Sequence, residues 1–129
     1  MNTFLLAAAA LVIMAGVLHS ILGERLILGR LSPDALPPVL GSAQFTRRVL
    51  RLFWHLVSVA WWGIAAMLWA LAFSPGTHGA RTIAIVAAAT FLVSAVVALV
   101  ISRGRHFSWM LLLIIAILLG VGAGGLPAG

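Results

Sequence analysis

Residues 49–73, VLRLFWHLVSVAWWGIAAMLWALAF, carry one charge, at Arg51, one glycine and no proline. A helix that crosses a membrane needs about 20 mainly apolar residues, and this stretch exceeds that length. Working outward, residues 3–22, 82–101 and 107–124 form three further apolar stretches. The whole chain of 129 residues is 64% hydrophobic and 8% charged, with a mean hydropathy of +1.21. An ordinary soluble domain is roughly 45–50% apolar, so this composition belongs to a membrane protein. The expectation is an all-α fold, a single four-helix transmembrane bundle over residues 1–129. A 23–48 loop is its one long connection. Residues 3–22 lack the basic stretch that opens a secretory signal and are read as a retained first span.

The charges set an expected topology. Arg25, Arg30, Arg47, Arg48 and Arg51 flank the long loop, Arg103 and Arg105 lie between the third and fourth stretches, and Arg81 alone sits at the other end. Loops rich in arginine stay on the cytoplasmic side. Both termini are then expected on the outer, periplasmic side of a bacterial inner membrane, with the chain crossing several times. The net charge of +6 is therefore assigned to anionic lipid headgroups rather than nucleic acid.

Turn signals mark the boundaries. SPGTHG at 74–79 and SRGRH at 102–106 interrupt the apolar runs with proline, glycine and charge. Within the long loop, Ser32-Pro33-Asp34 can open one short helical turn, Thr46 is the expected N-cap of the second span, and Gly23 the expected end of the first. The alanine runs Ala7–Ala10 and Ala87–Ala89 allow close helix contact, within one chain, in a homo-oligomer or in a larger membrane complex.

The chemistry-bearing residues collect at the arginine-rich end. His19, His55 and His106 fall near that same end of three different apolar stretches, and Glu24 follows His19 by five residues. Polar groups inside membrane segments face partners or cavities, which makes them candidates for function. Cysteine is absent, so thiolate sites are excluded. Three imidazoles and a carboxylate at one depth suit a transition metal such as Zn, Cu, Fe or Ni, and His19, Glu24, His55 and His106 are the expected ligands. A second possibility is a b-type haem with two of the histidines as axial ligands and Arg48 and Arg51 near its propionates. Trp61 and Trp62 fall near mid-membrane, where each indole N–H wants an acceptor such as Ser58 or Ser94, or the rings wall a flat ligand such as a quinone or porphyrin. Arg51, His55, Ser58 and Trp62 form one stripe at helical spacing, with Arg48 on the same line. Neither HExxH nor GxSxG occurs, and no residue is assigned a catalytic role from motif.

The strings HSILGERLI (19–27), FTRRVLRLFWHLVSVAWWG (45–63) and GRHFSW (104–109) resemble those of small four-helix inner-membrane proteins of proteobacteria. The resemblance implies the four-span architecture and singles out His19, Glu24, Arg48, His55, Trp62 and His106. It implies no particular activity.

Overall fold

The computed structural model of the chain describes residues 1–38 and 41–127. Among these residues the fold is all-α, with no strand. Four helices follow one another: α1 (Thr3–Leu26), α2 (Ala43–Phe73), α3 (Ala80–Ser102) and α4 (Ser108–Gly124). Helix suits a continuously apolar chain in lipid, because the backbone finds no water there and a helix satisfies its N–H and C=O groups within one segment. Three of the four helices are long and apolar enough to cross a membrane. The fourth has 17 residues, a rise of about 26 Å, and falls short of the usual crossing length.

Most boundaries lie near those expected, and the differences have local causes. α1 runs past Gly23 to Leu26, because Gly23 serves as a contact for Trp54 and not as a stop. α2 begins at Ala43, several residues before the expected start, with the Ser42 hydroxyl accepting from the Phe45 N–H at 3.1 Å. Ser42 therefore does the capping. Thr46 is inside the helix, and its hydroxyl donates to the Pro37 carbonyl at 2.9 Å. Between α1 and α2 lie two short 3₁₀ turns, Leu28–Arg30 and Pro33–Ala35, the second opened by proline as its fixed φ favours. α3 ends on two left-handed residues, Arg103 and Gly104, where the Gly104 N–H returns to the Leu99 carbonyl at 2.9 Å.

The chain sorts into two compact units, Met1–Val12 with Ile64–Gly129, and Ile13–Gly63. In the first, each helix buries residues at three- and four-residue steps. Leu5, Ala8, Ala9 and Val12 come from α1, Ala65, Leu68 and Ala72 from α2, Ala84, Phe91 and Ala95 from α3, and Leu112, Ile115, Ala116 and Leu119 from α4. Half of these residues are alanine, which suits an association in lipid driven by close approach of backbones and not by exclusion of water. A Cβ on Gly122 would stand 3.0 Å from the Leu5 side chain, which measures how near that approach is. Asn2 pins the unit at one end. Its Oδ1 accepts from the Leu5 N–H at 3.2 Å, its Nδ2 donates to the Gly122 carbonyl at 2.8 Å, and its backbone N–H donates to the Ala72 carbonyl at 2.8 Å.

The second unit is an antiparallel pair formed by the later half of α1 and the earlier half of α2. Contacts step up one helix as they step down the other: Ile13 meets Trp62, Ser20 meets Ser58 and His55, Glu24 meets Arg51, and Leu28 meets Arg47.

Candidate functional site

The polar residues of the second unit form a ladder between α1 and α2. Gly16, Ser20, Gly23 and Glu24 share one face of α1, and Arg51, His55, Ser58 and Trp62 share one face of α2. Two tryptophans hold the faces together. The Trp62 ring rests over Gly16, where a Cβ would come within 2.5 Å of its Nε1, and that N–H donates to the Ile13 carbonyl at 3.3 Å. The Trp54 indole covers Gly23 so closely that a Cβ there would fall inside the ring, and its N–H donates to the His19 carbonyl at 3.0 Å. Only glycine leaves room at either place.

Alongside these two contacts runs a chain of polar atoms that continues past Gly23 to Glu24 and Arg51. Arg51 grips Glu24 with both arms, Nη2 to Oε1 at 2.6 Å and Nε to Oε2 at 3.0 Å. Such a bidentate pair fixes the carboxylate in position and orientation. Oε2 of Glu24 faces His55 Nε2 at 3.5 Å, and His55 Nδ1 lies 3.0 Å from the Ser20 hydroxyl. Ser20 in turn shares a 2.9 Å hydrogen bond with the Ser58 hydroxyl, which is fully buried. Ser20 has a single hydroxyl proton, so it can serve Ser58 or His55 Nδ1 but not both at once. Glu24, Arg51, His55 and Ser20 are each half-buried.

Arg47 adds a second cationic contact, its Nη2 donating to the Leu28 carbonyl at 3.3 Å, close beyond the end of α1. A guanidinium there complements the negative end of the helix. Arg25, Arg30 and Arg48 are exposed and make no ion pair among the described residues.

The expected metal ligands do not assemble as a set. Among the described residues no group of three or more His, Asp or Glu side chains could hold a metal ion. Glu24 has both oxygens on Arg51. His19 turns its ring onto the Trp54 indole, 4.5 Å between centres and nearly parallel, with Trp61 tilted against it at 5.3 Å. His19 Nε2 is buried and has no hydrogen-bond partner. His106, in the other unit, is exposed, bonds the Ser108 hydroxyl at 2.8 Å and stacks on Phe107.

Other expectations meet different partners. Trp62 uses a backbone carbonyl and neither Ser58 nor Ser94. Ser94 donates within its own helix to Thr90 at 2.8 Å. Trp61 lies tilted against His19, and Trp62 is 40% exposed. Arg51 is committed to Glu24, whereas Arg48 on the same line stays free of acidic contacts. Ser20 is the residue that sequence reading passed over, although its spacing from Gly16 and Glu24 carried the signal. The chain matches no protein-family model, no curated protein and no solved structure.

Proposed function

We propose that this is a multi-pass protein of a bacterial inner membrane whose α1–α2 unit binds the headgroups of anionic lipids at its arginine-rich end. One observation carries the reading. Of the five arginines in this unit, Arg51 is neutralised by Glu24 and Arg47 is spent on backbone carbonyls, while Arg25, Arg30 and Arg48 remain exposed and unpaired among the described residues. Exposed guanidinium groups beside a membrane helix attract anionic phosphate, each contributing about 1 kcal/mol. The positive-inside rule puts this end on the cytoplasmic side and both termini on the periplasmic side.

The test is lipid retention. Protein purified in mild detergent, exchanged with equal amounts of phosphatidylglycerol and phosphatidylcholine, should retain phosphatidylglycerol preferentially. Replacing Arg25 and Arg48 by Gln should lower that preference about fivefold for each arginine, the equivalent of about 1 kcal/mol apiece. Equal retention of both lipids by the unaltered protein would overturn the reading.

A second reading, one transition-metal or haem iron anchored on a histidine, draws on the buried, unpartnered Nε2 of His19. A buried nitrogen without a partner is a place where a ligand can bind. Elemental analysis and an absorption spectrum of protein purified without a histidine tag decide it. A stoichiometric metal or a Soret band that disappears in His19→Ala supports it, and neither signal in the unaltered protein removes it.

A further inference from the structure

The chain Glu24–His55–Ser20 has the parts of an activated nucleophile, and we infer that Ser20 is a catalytic serine that attacks carboxylic esters at the membrane edge. The roles follow from the distances. A serine hydroxyl becomes nucleophilic when an adjacent base takes its proton, and His55 Nδ1 stands 3.0 Å from Ser20 Oγ. The base must be held in one tautomer by a third group. Glu24 stands on the far side of the ring at ion-pair distance, its Oε2 3.5 Å from His55 Nε2. Glu24 is itself held by both arms of Arg51. Such constellations are recognised by geometry and role and not by sequence motif, which is why a chain without GxSxG can contain one.

The position selects the substrate class. Ser20 lies six residues before the end of α1, about 9 Å along the helix axis. Ser20 therefore lies in the arginine-rich half of α1, the half nearer the headgroups in the proposed topology. Ser20 is half-buried and His55 is 39% exposed, so an ester can reach them from the side of the helix pair. Arg25 and Arg48 supply cations toward the headgroup side. The assignment of an anionic amphiphile as substrate rests on the lipid-binding reading above; the assignment of Ser20 as nucleophile does not.

The step balances with water as the only co-reactant. Ser20 Oγ bonds to the acyl carbon as its proton passes to His55 Nδ1, and the carbonyl electron pair moves to oxygen. The intermediate then expels the alcohol, which takes the proton from His55. Water, deprotonated by His55, hydrolyses the acyl-serine to release a carboxylic acid and restore the hydroxyl.

The experiment uses the purified full chain in detergent with a small fluorophosphonate, a reagent that phosphonylates activated serines and has no lipid headgroup. One adduct per chain should form, map to Ser20 by peptide mass spectrometry and be absent in Ser20→Ala. In His55→Gln, which keeps a hydrogen-bonding group beside Ser20 but provides no base, labelling should slow at least tenfold. An unlabelled native protein, labelling at another serine, or equal labelling in His55→Gln would overturn the proposal and reduce the Glu24–His55–Ser20 chain to a tie between helices. Lipid retention measured on the same preparation reports separately on the headgroup reading.

Discussion

The two units each draw on α1 and α2 but are built by different rules. In the unit of Met1–Val12 and Ile64–Gly129 the interior is Leu5, Leu68, Ile115 and Leu119 with alanines between them, and what specifies it is shape. In Ile13–Gly63 the helix pair is specified by named polar partners: indole to carbonyl, guanidinium to carboxylate, imidazole to hydroxyl. An apolar interface tolerates small adjustments because many interchangeable contacts share the energy. A ladder of single partners fixes register but loses a whole rung when one member changes. The contrast teaches where chemistry can be held in a chain with two acidic residues: only where direction, and not merely volume, is specified.

The comparison can be broken most severely at Gly23. Gly23→Leu puts a branched side chain where the Trp54 ring lies, and the loss of that contact together with the indole bond should cost about 3 kcal/mol, at the upper end for overpacking. Thermal unfolding in detergent checks this against Gly63→Ala in the same unit, where a Cβ meets nothing and the melting temperature should hold or rise slightly.

In the apolar unit the equivalent test is Asn2→Ala. It removes the cap on Leu5 and the bond to Gly122, so a loss of about 1–2 kcal/mol is expected. If Asn2→Ala proves as damaging as Gly23→Leu, the apolar unit depends on directed partners as much as the hairpin does, and the contrast fails.

The smallest effect sharpens the comparison. Glu24→Gln removes the charge from a pair whose side chains are 38% and 43% exposed, and solvent screening limits the cost to about 1 kcal/mol. A double-mutant cycle with Arg51→Gln should recover most of that as coupling energy. A coupling near zero would mean that the carboxylate is placed by the helix backbone alone.

Much of this architecture was legible in the chain. The apolar stretches located four helices, the prolines and glycines located their breaks, and the spacing of Arg51, His55, Ser58 and Trp62 predicted a shared face on α2. What was not legible has a physical reason. When every side of a helix is apolar, periodicity carries no contrast, and the packing faces of α3 and α4 follow from fitting small side chains together. The partner face on α1 is marked by glycines, whose contribution is absence of bulk. Gly23 therefore read as a helix end while it serves as the seat of Trp54. The metal expectation failed to assemble for a related reason: equal depth brings residues to one layer but does not aim them, and Arg51 had already taken the carboxylate.

The short fourth helix has a consequence for the lipid around it. At 17 residues it rises about 26 Å, against about 46 Å for the 31 residues of α2. The first turns of α2 carry Arg47 and Arg48 and stand beyond its apolar stretch, and it is the apolar stretch that a hydrocarbon core about 30 Å thick has to match. A crossing by α4 would leave it about 4 Å short of that core, a mismatch that a bilayer meets by thinning locally.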